Sequence, residues 1–111
     1  MGVTVNSGGT VLVLGLGVSG CAAAELAAQK GASVVVLDEQ DSPTLRERGD
    51  VLERRGVRVH LDWHDDEWPD TPDQAVISPG IAPESVLGRL ASRLSCPVIR
   101  ELEFAFRHCS C

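Results

Sequence analysis

The stretch that decides the fold is TVLVLGLGVSGCAAAELAAQK, residues 10–30. An apolar run, Thr10–Leu14, leads into the glycine-rich segment 15–20, and an alanine-rich segment with helical character follows. This order of strand, tight glycine turn and helix is the context in which a GxGxxG motif indicates binding of a nucleotide diphosphate. The N-terminus of such a helix offers unpaired N–H groups and a positive dipole end to the phosphates.

The residues of this glycine segment have separate predicted roles. Gly15 allows the tight turn, Gly17 lets the backbone approach a pyrophosphate, and Gly20 lets the helix pack closely on the strand. Val18 and Ser19, with Gly20, place backbone N–H groups at the phosphates. The residues leave one alternative open, in which the glycine turn serves packing alone.

A second apolar run, Ser33–Leu37, is followed by Asp38, which lies 18 residues after Gly20. Rossmann domains place the carboxylate that binds the ribose near this distance from the glycine motif. We therefore predict that Asp38 accepts a hydrogen bond from a ribose hydroxyl or from a base N–H. A cap of the following turn is the alternative role for this side chain.

Strand-like and helix-like segments alternate along the rest of the chain. This pattern predicts an α/β fold of the Rossmann-like type, with three layers and a five-stranded parallel sheet in the order 3-2-1-4-5. The later strands are predicted at residues 57–61, 74–78 and 96–99. Helices are predicted at residues 19–30, 43–55, 83–94 and 100–108, and an acidic loop or short helix at residues 62–71.

In that strand order, the first and fourth strands flank the point at which the order reverses. Ligands of such sheets bind there, beyond the carboxyl ends of the strands. The predicted crevice brings together the glycine segment, Asp38 and the sequence Ser78-Pro79-Gly80. Gly80 is predicted either to contact the ligand or to serve as a simple turn glycine.

Size and charge restrict the function further. A chain of 111 residues is expected to form one domain, residues 10–108, between a loose lead-in at 1–9 and a tail at 109–111. The net charge of −6 argues against a nucleic-acid partner. No apolar run is long enough to span a bilayer, and the N-terminus lacks the features of a signal peptide. The four cysteines lack CxxC pairs, so reduced thiols and a cytoplasmic location are expected.

The remaining reactive side chains form no recognisable catalytic set. Trp63 and Trp68 are predicted to plug the edge of the sheet, with base stacking as the alternative. His64, between acidic neighbours, is predicted to be a solvated surface residue. No GxxxxGK[ST] loop and no arrangement for nucleophilic catalysis is present, so the chain is predicted to bind a ligand without turning it over.

Four pieces of the sequence resemble one family: VLVLGLGVSG at 11–20, VLD ending at Asp38, VISPGI at 76–81 and PVIRELEF at 97–104. They resemble the N-terminal domain of the Mur ligases of bacterial peptidoglycan synthesis. Within that family they are most similar to the ligases that add D-glutamate to UDP-N-acetylmuramoyl-L-alanine. The resemblance covers residues 10 to 108 and is much more specific than the GxGxxG motif by itself.

The resemblance implies a domain that binds the UDP part of UDP-N-acetylmuramoyl-L-alanine. A central ATPase domain and a C-terminal domain would follow it, so the complete enzyme would be an ATP-dependent amide-forming ligase. That enzyme would use ATP and magnesium to form an acyl phosphate, which the amine of D-glutamate attacks. This chain would itself hold no cofactor or metal and would be inactive.

The resemblance also assigns individual positions. Val18 and Ser19 match the loop that meets the diphosphate, and Asp38 matches the carboxylate that recognises uracil. The segment lining the nucleotide crevice is matched by Ser78, Pro79 and Gly80.

The sequence departs from the family's pattern after Asp38. Glu39 and Gln40 stand where family members often carry threonine and arginine, so the side-chain contacts differ, although the backbone N–H of Glu39 can still serve. Two other functions stay open: an NAD(H)-binding domain of a dehydrogenase or of a regulatory transporter module, and an interaction module with a vestigial glycine loop. The segment 78–81 favours the ligase.

Overall fold

The computed structural model describes residues 9–100. Its elements, in chain order, are β1 (Thr10–Leu14), α1 (Val18–Gln29), β2 (Ser33–Leu37), α2 (Pro43–Glu53), β3 (Arg58–His60), β4 (Gln74–Ile77), α3 (Val86–Arg93) and β5 (Val98–Arg100). All five strands are parallel and lie in the order β3-β2-β1-β4-β5. The predicted Rossmann-like fold and its strand order are therefore confirmed.

The sheet is buried on both faces, which explains its unbroken apolar strands. In β1, Val11 and Val13 belong to a core cluster with α1 and α2, whereas Leu12 and Leu14 belong to a cluster with α3. The side chains of β2 divide between the same two clusters. Each fully buried leucine stabilises the fold by about 1.5–3 kcal/mol, so the central strands are its main source of stability.

Local signals set the ends of the first two helices. Helix α1 stops before Gly31, whose φ of +88° suits glycine. At the start of α2 the Ser42 side chain accepts a hydrogen bond from the Leu45 N–H at 3.2 Å, and Pro43 occupies the first helical position. Helix α2 therefore begins at residue 43, as the sequence predicts.

The connection from β3 to β4 contains no helix. Trp63 and Trp68 pack instead against the core cluster on the α3 side, with ring centroids 5.6 Å apart. Ion pairs join the loop to α3, including Asp66 with Arg89 at 3.3 Å and with Arg93 at 3.5 Å. The tryptophans therefore cover a sheet face that a crossover helix normally covers, whereas the sequence-based prediction placed them at the edge of the sheet.

Most predicted boundaries lie within two residues of those in the structure, and two predictions differ more. Helix α3 begins at Val86 and not at residue 83, because Ser85 caps it by accepting a hydrogen bond from the Gly88 N–H at 3.1 Å. Arg100 ends β5 and does not begin a helix. The rest of the predicted helix 100–108, the predicted tail, and residues 1–8 of the lead-in lie outside the described residues.

Candidate functional site

A crevice of about 640 Å³ opens beyond the carboxyl ends of the central strands. It lies between the glycine segment, the residues that follow β2, and the turn between β4 and α3. Its lining residues are Gly15, Gly17, Asp38, Glu39, Gln40, His64, Ser78, Gly80, Ile81, Ala82, Ser85 and Leu87. The fold thus forms a cavity at the position predicted for a ligand.

Gly15 makes the turn that brings the two sides of the crevice together. Its φ is +103°, and its N–H donates to the carbonyl of Leu37 at 2.8 Å. A Cβ added here would lie 3.1 Å from Ile81 Cδ1 and 3.2 Å from Ser78 Cβ. Gly15 therefore allows both the turn and the close approach of the segment after β4.

Gly17 has a different environment. It is the N-cap of α1 with an ordinary φ of −78°, and a Cβ added to it would meet no atom within 4 Å. The residue is exposed and lines the crevice. The missing side chain at Gly17 therefore leaves space open beside the helix terminus and is not needed for the backbone conformation.

The N-terminus of α1 is free to interact with an anion. No side chain caps it, and its first turn contains no acidic residue. Val18, in that turn, is 73% exposed, Ser19 follows it in the helix, and Gly20 is buried. The first N–H groups of a helix and its dipole attract negative charge, so this end of the crevice suits a phosphate.

The Asp38 carboxylate organises the backbone around the glycine segment. Its Oδ2 accepts a hydrogen bond from the Leu16 N–H at 2.7 Å, and its Oδ1 accepts one from the Gln40 N–H at 2.8 Å. The Asp38 carbonyl also accepts from the Trp63 N–H at 3.0 Å. The predicted capping role and the position on the crevice are thus both present.

Glu39 crosses the crevice to α3. Its Oε2 accepts a hydrogen bond from the Leu87 N–H at 3.3 Å, across a sequence separation of 48 residues. With the Ser85 cap, this contact supplies α3 with two side-chain acceptors. Of the two helix termini at the crevice, α1 is therefore open to an anion and α3 already carries a carboxylate.

The segment Ser78-Pro79-Gly80 forms a turn after β4. The Ile81 N–H donates to the Ser78 carbonyl at 3.1 Å, and the Ser78 N–H donates to the Leu14 carbonyl at 3.1 Å. Pro79 is exposed between the two lining residues. Ser78 and Gly80 are thus placed opposite the glycine segment, as the sequence predicts.

His64 is a lining residue that the sequence-based interpretation assigned to the general surface. Its Nε2 lies 2.6 Å from Asp62 Oδ1, and its side chain is 70% exposed. The loop reaches the crevice because the Asp62 N–H donates to the Gln40 carbonyl at 3.1 Å. No local sequence pattern could have indicated that His64 lines the crevice, since the contact between Asp62 and Gln40 joins separate loops. Other lining residues missed from the sequence are Gln40, Ile81, Ala82, Ser85 and Leu87.

Two cysteines in the described part of the chain are free thiols, Cys21 and Cys96, and both are half-buried. Burial raises the pKa of each thiol, and for Cys21 the nearby Glu25 carboxylate adds to the effect. Both thiols are therefore protonated at neutral pH and act as small packing groups.

Residues 9–100 contain no group of three or more potential metal ligands. No helix in this part of the chain is long and apolar enough to cross a membrane.

Comparison with known proteins connects this geometry to a family. Residues 9–100 match the family model described as "Mur ligase MurD-like, N-terminal domain". The UDP-N-acetylmuramoylalanine--D-glutamate ligase of Synechococcus sp. (strain JA-3-3Ab) is 45% identical over 94 residues, which are 85% of this chain and 20% of that protein. The ligase of the same name from Geobacter metallireducens is 40% identical over 103 residues, 91% of this chain and 22% of that protein. The chain spans about a fifth of the length of these relatives.

Proposed function

The chain belongs to the MurD-like family of Mur ligase N-terminal domains, and we propose that it binds the UDP part of UDP-N-acetylmuramoyl-L-alanine for a ligase that adds D-glutamate. The observation that carries the proposal is the open N-terminus of α1 at a crevice large enough for a nucleotide. The relatives' name identifies a UDP-linked substrate, and a diphosphate is the group that such a terminus suits.

The proposed orientation of the ligand follows from the charges at the two helix termini of the crevice, those of α1 and α3. We assign the diphosphate to the N–H groups of Gly17, Val18, Ser19 and Gly20, where the helix dipole contributes up to about 2 kcal/mol. The uracil end is assigned to Asp38 and Glu39, beyond the end of β2. The sugar then extends toward Ser78, Pro79 and Gly80. Because Glu39 already occupies the N-terminus of α3, the reverse orientation would bring a phosphate against a carboxylate.

ATP and magnesium do not fit the residues that the structure describes. The glycine segment 15–20 has no lysine to reach phosphates, and residues 9–100 contain no cluster of metal ligands. We propose that both bind to parts of the ligase that this chain does not span. The proposed reaction belongs to cell-wall synthesis in the cytoplasm, with the other domains of the same ligase as partners.

The chain by itself is expected to be catalytically inactive. Purified 111-residue protein, given ATP, magnesium, D-glutamate and UDP-N-acetylmuramoyl-L-alanine, should release no phosphate above a protein-free control. The physical reason is that the glycine segment has no phosphate-binding lysine and that residues 9–100 contain no cluster of metal ligands. Phosphate release that copurifies with the chain and scales with its concentration would contradict this expectation.

A parallel titration tests the proposed ligand. UDP-N-acetylmuramoyl-L-alanine should bind most tightly, UDP more weakly and NAD(H) most weakly, since the crevice has one open helix terminus and a base end built on Asp38 and Glu39. Amide shifts recorded by NMR should concentrate at residues 15–20, 38–40 and 78–80. Tighter binding of NAD(H), or shifts concentrated elsewhere, would favour a dinucleotide-binding domain instead.

A further inference from the structure

We propose that Arg48, on helix α2, is a positioning residue for the bound diphosphate: by holding the Leu16 carbonyl, it keeps the Gly17 N–H directed at the phosphates. The inference rests on the proposed function, because it assumes that the diphosphate lies at the N-terminus of α1. It adds a side chain that the glycine motif does not contain and that does not itself line the crevice.

The backbone of Leu16 is held at both of its polar groups. Its N–H donates to Asp38 Oδ2 at 2.7 Å, and its carbonyl accepts a hydrogen bond from Arg48 Nη1 at 3.1 Å. Its side chain is fully buried. A carboxylate after β2 and a guanidinium on α2, which is 32 residues away in sequence, thus fix one residue of the glycine segment.

The peptide unit between Leu16 and Gly17 is the one that Arg48 orients. In a planar trans peptide the carbonyl and the N–H point in opposite directions, so a carbonyl directed at Arg48 turns the Gly17 N–H away from α2. That N–H donates to no group among residues 9–100, and Gly17 lines the crevice. The Gly17 N–H is therefore available to a phosphate oxygen.

This peptide needs an external restraint because it precedes a glycine. Gly17 lacks a Cβ and can adopt φ of either sign, so its own geometry does not prevent rotation of the peptide. Rotation would direct the Leu16 carbonyl at the ligand, and the negative end of that dipole would repel a phosphate. The hydrogen bond from Arg48 opposes the rotation, because the rotation would break it.

Arg48 has no other partner in the described part of the chain. None of the ion pairs among residues 9–100 includes its guanidinium, and the Leu16 carbonyl is its acceptor there. The side chain is partly buried. A partly buried arginine is usually paired with a carboxylate, whereas this one is directed at a single backbone carbonyl of the glycine segment.

Arg48→Met tests the assignment, because methionine keeps an apolar stem and removes the hydrogen-bond donors. In an NMR titration of the 111-residue chain with UDP, the affinity of the variant should be about tenfold lower than that of the wild type. Uridine, which lacks the diphosphate, is the second probe, and its affinity should change by less than about twofold. A general loosening of the fold would weaken both ligands.

The wild type provides a test that needs no substitution. The Gly17 amide signal should shift with UDP and should stay unchanged with uridine, because only the diphosphate reaches that N–H. A Gly17 amide that does not respond to UDP would overturn the inference even if Arg48→Met fails to fold.

Two control variants separate orientation of the peptide from charge. Arg48→Lys keeps a charged donor and should bind UDP within about threefold of the wild type. Arg54→Met removes the same charge from the exposed end of α2 and should leave both affinities unchanged. In about 0.5 M NaCl, which screens charges that are more than a few ångströms apart, the difference between the wild type and Arg48→Met should persist.

The outcomes distinguish the inference from the proposed function. A wild type in which UDP shifts no signal at residues 15–20 overturns both. If UDP binds there and Arg48→Met binds it as tightly as the wild type, the proposed function stands and the role of Arg48 is overturned. That role is also overturned if the variant loses uridine and UDP affinity equally, or if the difference disappears at high salt.

Discussion

Replacement of Gly17 by valine is expected to abolish nucleotide binding while the native fold is retained. The φ of −78° is accessible to valine, and a Cβ at this position meets no atom within 4 Å, so the backbone is not strained. The added side chain would occupy the space in front of the α1 N-terminus where the diphosphate is proposed to lie. Valine is a poorer N-cap than glycine, which costs the free energy of unfolding about 1 kcal/mol.

Calorimetric titration with UDP and a thermal melt measure the two effects separately. A loss of affinity of about 100-fold or more, with a fall in Tm of about 4–8 °C at most, is the expected combination. Gly17→Ala serves as the matched control, since its smaller side chain should reduce affinity less. Unchanged UDP affinity in Gly17→Val would show that the phosphates do not approach this residue.

Gly88→Ala is expected to cause the largest loss of stability among single substitutions near the crevice. A Cβ at Gly88 would overlap with the Ala82 carbonyl oxygen and would lie 2.7 Å from that of Pro83. Both are backbone atoms, so the turn before α3 would have to move. Alanine normally stabilises a helix by up to about 1 kcal/mol relative to glycine, but overpacking here should lower the free energy of unfolding by about 3 kcal/mol.

Gly49→Ala in α2 is the matched control for this substitution. Its Cβ would lie 3.2 Å from Val59 Cγ1, a side-chain atom that can move, so the change in stability should stay within about 1 kcal/mol. Urea unfolding of both variants gives the comparison, provided that the slope of free energy against urea is unchanged. A Gly88→Ala variant as stable as the wild type would show that the turn adapts freely.

Most of the architecture could be predicted because its signals are local. The continuous apolar runs of β1 and β2 indicate strands buried on both faces, and the glycine turn before an alanine-rich helix indicates the first crossover. The parallel order β3-β2-β1-β4-β5 then follows from the usual handedness of such connections. The predicted start of α3, at residue 83, was wrong because Ser85 is the residue that caps the helix.

The candidate site was predictable only in part. Gly15, Asp38 and Gly80 carry motif signals, and the structure brings them to one crevice. Leu87 carries none, because it reaches the crevice through a hydrogen bond to Glu39, and His64 carries none, because the neighbouring Asp62 N–H holds its loop to the Gln40 carbonyl. Periodicity and motif spacing report neighbours along the chain, so they do not detect such contacts.

The sequence by itself therefore determined the fold class, the strand order and the edge of the sheet at which a ligand is expected, since strand runs, turns and helix signals act over a few residues. Only the tertiary structure decided which atoms at that edge remain available. It shows that Gly15 is needed for the turn whereas Gly17 leaves open space, and that the carboxylates of Asp38 and Glu39 accept hydrogen bonds from backbone N–H groups around the crevice. The physical reason is that the space and the hydrogen-bond partners around each group come from residues that are distant in the sequence.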